Sequence, residues 1–575
     1  MNKSWIRGAS LFAVVSLVLT LSGLAFADKA PPPEAVAAAA SAAPSASAAA
    51  SAEAPAEKKE EELSAFGAGL SKFNGWVAGA LFFDISGGAF LHPKLDAAGK
   101  EVVGKDGKVE MEGASIPFIV AILALGSIFF TLWYRFINLR GFRHAIDVVR
   151  GKYDDPADEG EISHFRALTS ALSATVGLGN IAGVAIAIQK GGPGAVFWMI
   201  VMAVFGMSAK FSSCTLAVLY RRHNPDGSMS GGPMYYLDLG LKKLGIGPLG
   251  KALGCIYAVM VMGGAFGGGN MFQSNQSYAV LKNAVGLGPS AKYVYATVLA
   301  LAVAAVIIGG IKRIGAATSR VVPAMCAIYV AAAVAVILVN AKHIPEALGT
   351  IFSMAFTKNA IFGGAVGVLV IGVTRASFSN EAGLGSAAIA HAAAKTDEPV
   401  REGMVAMLGP FIDTIIICLM TALVVVVTGA WKSSLASAGD VDQGVVMTSQ
   451  AFASVISWFP YVLSVCVVLF AYSTMISWCY YGERGWIYLV DHLGEGAGLR
   501  SVMVFRVLFV IAAWFGAVAK LGPVLDFSDL MILCMAFPNI VGSVILAPTL
   551  LKHVQDYWSR YKSGEMKPYE PAAAE

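Results

Sequence analysis

The sequence predicts an all-α polytopic membrane protein of eleven transmembrane helices: one leading helix, then a 5+5 inverted repeat with two discontinuous helices. Three observations predict it. Of 575 residues, 56% are hydrophobic and only 14% charged, where soluble proteins carry about 25% charge, and mean hydropathy is +0.66. Apolar stretches of about 20 residues, enough to cross a bilayer core, recur eleven times. Glycine-rich polar interruptions fall in the second and the seventh of them. This apolar content rules out a disordered chain and argues against a soluble globular enzyme. A net charge of +4 leaves no nucleic-acid footprint.

The first 27 residues read as a signal peptide. Lys3 and Arg7 form its charged start, Leu11 to Leu24 its apolar stretch, and Ala25-Phe26-Ala27 its cleavage site. Residues 28–62 are Ala, Pro, Ser and Glu with almost nothing to bury, a disordered tether. Residues 63–112 are expected to form a small extracytoplasmic or interfacial segment. Leu63 to Phe83 is amphipathic enough to lie on a membrane surface, and Asp106-Gly107 marks a turn in an extended element. The membrane domain spans 113–555, and a cytoplasmic tail follows at 556–575.

The candidate spans lie near 115–137, 166–189, 193–220, 250–272, 290–311, 319–340, 360–391, 403–429, 447–478, 501–519 and 527–551. With residue 28 onward outside, the expected cytoplasmic loops and span ends hold 22 Lys and Arg, against seven on the opposite side. Basic residues concentrate on the cytoplasmic face of membrane proteins, so the C-terminus is expected inside. The seven cysteines fall in or beside apolar runs, which predicts neither a disulfide framework nor a metal cluster. The histidines are scattered, and no HExxH, Walker A or GxSxG motif is present, so neither catalysis nor ATP drive is expected.

The second span contains Thr175-Val-Gly177-Leu-Gly179-Asn180-Ile-Ala-Gly183, and the seventh Phe378-Ser379-Asn380-Glu381-Ala382-Gly383-Leu-Gly385-Ser386. Glycine costs about 1 kcal/mol in a helix interior, so neither run favours a continuous helix. Backbone freed within hydrocarbon must be satisfied by protein, water or ligand. The two interruptions open the two sets of five spans, and paired breaks in corresponding positions point to a ligand site near the bilayer midplane. Packing of small residues accounts for one such run alone, less well for two that also carry Asn180, Asn380 and Glu381. Glu381 reads equally as a structural acceptor of backbone amides or as a ligand for a cation or ammonium group. It stands out among the few charges inside the spans, with Arg375 on the same span.

Residues 161–236, EISHFRALTSALSATVGLGNIAGVAIAIQKGGPGAVFWMI and onward to GGPMYY, and residues 372–428, beginning GVTRASFSNEAGLGSAAIAHAAAKTDEPVREG, closely resemble the alanine or glycine:cation symporter family, the sodium:alanine symporters. IIGGIKRI at 307–314 and YYGERGWIYL at 480–489 are similar as well. The likeness covers roughly residues 115–555. It implies a LeuT-type fold with one extra leading helix, and a secondary active transporter in a bacterial inner membrane. That transporter would take up small neutral amino acids, alanine and glycine, with Na⁺ as coupling ion and no cofactor; H⁺ coupling is the alternative.

The resemblance also implies site residues. The amides of Leu178 and Gly179 would hold the substrate carboxylate, with Thr175, Gly177 and Asn180 lining the same region. Phe272 and Gln273 would supply an apolar wall and a polar contact, and Phe378, Ser379, Asn380 and Gly383 the opposite break. Carbonyls of Ser173 and Val176, with the hydroxyls of Ser473 and Thr474, would face Na⁺; hard cations take oxygen ligands. Glu381 and Asn180 are coupling candidates. One departure stands beside these: family members commonly carry glutamate where this chain has Ser213, which would leave Lys210 without its usual partner.

Overall fold

The computed structural model describes residues 65–93, 111–155, 157–288, 290–356, 364–432, 441–518, 522–566 and 568–569. The expected signal peptide and tether, 1–62, lie outside them.

Among the described residues seven helices are long and apolar enough to cross a membrane: Gly194–Leu219, Gly247–Val285, Gly310–Val339, Pro399–Val427, Phe459–Val490, Ala497–Val518 and Asp529–Lys562. The pair His164–Thr175 and Gly179–Gly191, bent by 56°, counts as an eighth. The other three expected spans fall on shorter pieces. Two are the apolar helices Phe118–Trp133 and Ala291–Ile307, and the third is Gly364–Asn380 with Ala387–His391.

Phe459–Val490 is apolar on every side, and such helices bury all round. It packs with its Tyr472, Trp478, Tyr480 and Tyr481 in the core. This helix lies further along the chain than the expected span 447–478. Residues Val441–Ala453 form a helix of their own. Pro460, at a helix start, supplies the preset φ that opens the long one. The last helix also outruns the expected boundary at 555. It continues to Lys562, with Tyr557 buried and its hydroxyl 2.6 Å from His144 Nε2.

The segment before the first expected span packs on the rest of the chain. Helix Ala65–Leu81 places Val77 against Met531 and Cys534 of the last membrane helices, beside Leu81 and Phe82. Strands Leu91–Pro93 and Met111–Gly113 pair antiparallel, Leu91 opposite Gly113. Asp84 ties this element to the start of helix Phe118–Trp133 by accepting from the amides of Ser86, Gly88 and Ile116 at 2.9–3.0 Å.

The two glycine-rich runs break their helices. In the first, Val176 turns extended (φ −76°, ψ 98°) before a wide helical turn at Gly179–Gly183. In the second, residues 381–386 leave the helix, with left-handed φ at Glu381 (54°), Gly383 (84°) and Gly385 (84°). Gly385 needs that conformation and the space as well. A Cβ there would lie 2.6 Å from Pro233 Cγ and 2.9 Å from the Asn539 side chain.

Candidate functional site

A cavity of about 140 Å³ lies between the breaks. Its walls include Thr175, Gly177, Leu178 and Gly179 from the first break, Phe378 and Glu381 from the second, and Phe272 and Gln273. Thr474 and Trp478 close it from helix Phe459–Val490, and Arg375, Asp529 and Ile532 also line it. Eight of the expected residues therefore share one wall with Glu381: Thr175, Gly177, Leu178, Gly179, Phe272, Gln273, Phe378 and Thr474. The arm Gly179–Gly191 starts at this wall, so the positive end of its dipole faces the space. Gln273 donates to the Gly268 carbonyl at 2.9 Å, while its side-chain oxygen is buried without a partner.

Asn180, Ser379, Asn380 and Gly383 stand behind the cavity rather than on it. They form a buried polar knot across the two breaks. Asn180 accepts from the Gly177 amide at 2.8 Å. Its Nδ2 donates to Ser379 Oγ at 3.1 Å and to Asp413 Oδ1 at 2.7 Å. Ser379 donates to Asp413 Oδ2 at 2.7 Å. Thr414 also donates to that oxygen, at 2.9 Å, and accepts from Asn380 Nδ2 at 2.9 Å. The Gly383 carbonyl accepts from Asn539 at 2.7 Å.

The four residues expected to face an ion are drawn together at the end of the first arm. Thr474 Oγ1 lies 3.0 Å from the Ser173 carbonyl and within 3.0 Å of where a Gly177 Cβ would stand. Val176 sits at the bend itself, fully buried. Ser473 contributes differently from expectation. Its hydroxyl returns to the Phe470 carbonyl at 2.9 Å, the usual back-bond of a helical serine, and its own carbonyl accepts from Ser173 Oγ at 2.5 Å.

Glu381 is not the sole charge within the spans. Its carboxylate accepts from Ser386 Oγ. Asp413, Lys210, Glu402 and the pair Glu483–Arg484 are buried too. Lys210 finds its partner in the second break, where Nζ donates to the Asn380 carbonyl at 3.0 Å, while Ser213 merely back-bonds to Ala209 and Lys210 carbonyls. The sequence reading passed over Asp413, although a carboxylate inside PFIDTIIICLM is a signal by itself. It also passed over Trp478, which has no such mark.

The sequence model of the sodium:alanine symporter family matches residues 107–571. The sodium/alanine symporter AgcS of Methanococcus maripaludis is 41% identical over 443 residues, 77% of this chain and 94% of its own. An uncharacterized transporter of Haemophilus influenzae is 39% identical over 78% of this chain and 94% of its own. The putative sodium/proton-dependent alanine carrier protein YrbD of Bacillus subtilis is 32% identical over 80% of this chain and 93% of its own.

Proposed function

The chain belongs to the sodium:alanine symporter family, and from that premise we propose that it takes up small neutral amino acids, alanine and glycine, together with Na⁺ by alternating access. It is a transporter and not an enzyme. The observation that carries the finer reading is the cavity of about 140 Å³ between two broken helices. It has a helix N-terminus on one wall and the Ser173 carbonyl with Thr474 Oγ1 beside it.

Each part has a role in that reading. The amino-acid carboxylate meets the amides at Leu178 and Gly179, where the half-helix dipole is positive. Its ammonium group meets acceptors on the facing side, Gln273 Oε1 and the Glu381 carboxylate. Phe272, Phe378 and Trp478 bound the side chain and keep it small. Na⁺ takes the carbonyls of Ser173 and Val176 with Thr474 Oγ1; Ser473 offers its carbonyl to Ser173 instead of a hydroxyl to the ion. The knot at Asn180, Ser379 and Asp413 makes the two breaks respond together, and Asn180 and Glu381 link substrate to coupling. Eleven crossings in a LeuT-type 5+5 arrangement, with the basic face cytoplasmic and the first segment outside a bacterial inner membrane, complete the proposal.

The driving force is adequate. A potential of 100 mV supplies about 2.3 kcal/mol per charge moved inward. The test is uptake of labelled alanine into proteoliposomes under an imposed Na⁺ gradient. Uptake that ignores Na⁺ and follows a pH gradient replaces Na⁺ by H⁺. No uptake under either gradient overturns the substrate class.

A further inference from the structure

The two broken helices meet again at their far ends. His164 is the first residue of the first broken helix, His391 the last of the second, and Glu402 lies in the opening turn of Pro399–Val427. All three are buried, with side chains 1%, 0% and 0% exposed. His164 Nδ1 bonds one Glu402 oxygen and His391 Nδ1 the other, the latter at 2.5 Å. One carboxylate thus holds both helices.

Around it the chain is closed by backbone. The amides of Glu161, Lys395 and Thr396 donate to the carbonyls of Ala393, Ile162 and Glu159 at 2.7–3.0 Å. Arg221 gives its guanidinium to the carbonyls of Glu159, Ala392, Ala394 and Thr396 at 2.7–3.3 Å. Gly403 sits so close to Thr215 and Phe211 that a Cβ there has no room. Arg221, Lys395 and Arg401 mark this as the side expected to be cytoplasmic.

We propose that His164, Glu402 and His391 form a proton-operated latch on the cytoplasmic face, in which one shared proton holds the two broken helices shut and its release accompanies inward opening. The proposal rests on the symport reading above and adds a regulation to it.

The charge balance argues for the proton. A carboxylate buried between two neutral rings carries an uncompensated charge, which costs several kcal/mol away from water. One proton on either ring makes the cluster neutral. Among the described residues, Asp154, Arg401, Arg221 and the Cys214 thiol are the other charged or titratable groups facing it. Arg221 is committed to four carbonyls, and Arg401 to the Tyr153 carbonyl and Asp158. Both imidazole Nε2 atoms are buried without a hydrogen-bond partner. His164 Nε2 lies 3.8 Å from Asp154 Oδ1, and the Asp154 side chain is 40% exposed. A proton from hydronium in the cytoplasmic water passes through that carboxyl to His164 Nε2 and leaves by the same route. Nothing is oxidised or reduced, and no proton crosses the membrane.

The experiment uses right-side-out vesicles carrying the full chain, with alanine and Na⁺ on both sides. Exchange of labelled alanine is followed as the interior pH is varied from about 5.5 to about 8. The wild type is expected to slow as the interior is acidified, approaching tenfold per pH unit, the limiting slope of one bound proton. His164→Asn and His391→Asn keep an N–H near the Nδ1 position without a titrating ring. His164→Asn removes the ring that meets Asp154 and is expected to flatten the profile and hold the rate seen at high pH, whereas His391→Asn leaves that ring and its proton route in place and is expected to keep a slope. A flat wild-type profile overturns the latch, as does a wild-type slope kept in His164→Asn or, should that variant fail to reach the membrane, in His164→Gln. No exchange at any pH is instead the failure of the symport reading, and removes the latch with it.

Discussion

The Asn180 amide lies 2.7 Å from the Asp413 carboxylate, the shortest of the contacts by which it joins the first break to a helix that also holds the second through Ser379. Asp413 accepts from three side chains, all buried: Asn180, Ser379 and Thr414. Replacing it by Asn puts an amide where those donors need an acceptor. Hydrogen bonds to a charged group contribute about 1.5–3 kcal/mol each. Asp413→Asn is therefore expected to lower Na⁺-driven alanine uptake about 10- to 100-fold at unchanged membrane expression. Asn180→Ala and Asn380→Ala, which cut the same knot, are expected to impair uptake in the same assay. Wild-type uptake in all three would remove the knot from the mechanism.

Thr474 and Ser473 are neighbours with different prospects. Thr474 Oγ1 stands against the Ser173 carbonyl, whereas the Ser473 hydroxyl is spent on Phe470. Thr474→Val keeps the shape and loses the oxygen. Its half-saturating Na⁺ concentration is expected to rise about tenfold, the effect of roughly one lost hydrogen-bond-strength contact, with little change in half-saturating alanine at saturating Na⁺. Ser473→Ala is expected to move Na⁺ dependence much less. Equal shifts in the two would show that the ion is held elsewhere.

The breaks were legible because glycine and asparagine leave a local mark: no amphipathic pattern survives VGLGN or SNEAGLG. The contacts that give them meaning were not, because each joins residues far apart in the chain. Asn180 and Asp413 are 233 positions apart, and His164 and Glu402 are 238 apart. His164 and His391 read as unrelated residues at span ends, yet the fold brings both to one carboxylate. Asp413 was hidden by averaging, since the residues that follow it in FIDTIIICLM are almost all apolar. Trp478 left no mark because an aromatic residue in an apolar helix is ordinarily core, and the fold packs it against Gly269 and on the cavity wall.

Asp84 gives a pH dependence outside the membrane. Hydrogen bonds from Ser86, Ile116 and Gly88 hold its carboxyl down at about 2, against 3.8 ordinarily. A carboxyl whose pKa falls on folding stabilises the fold above its unfolded value and loses that contribution as pH drops through the folded one. The turn at 84–88 and its tie to Ile116 are expected to stay intact down to about pH 4 and to loosen from there toward pH 2. Hydrogen exchange of the Ser86, Gly88 and Ile116 amides reads this directly. Asp84→Ala should raise their exchange at neutral pH, and unchanged protection would mean the carboxylate holds nothing.

In the proposed reading Trp478 bounds the side chain of the substrate. Its side chain packs on Gly269, where a Cβ would stand 2.4 Å from Trp478 Cβ and Cγ, and it also lines the cavity. Gly269→Ala forces the indole toward the space that the substrate needs, so uptake of alanine is expected to fall more than uptake of glycine. Trp478→Phe acts in the opposite direction, removing ring area while leaving an aromatic wall. One methylene in an apolar pocket is worth about 1–3 kcal/mol, or 10- to 200-fold in selectivity. The leucine-to-alanine ratio of uptake is therefore expected to rise at least about tenfold in Trp478→Phe. Competition of unlabelled glycine, alanine, valine and leucine against labelled alanine measures both variants on one scale. If neither variant reorders that series, the boundary on side-chain size lies with Phe272 and Phe378 instead, the two other rings on the cavity wall.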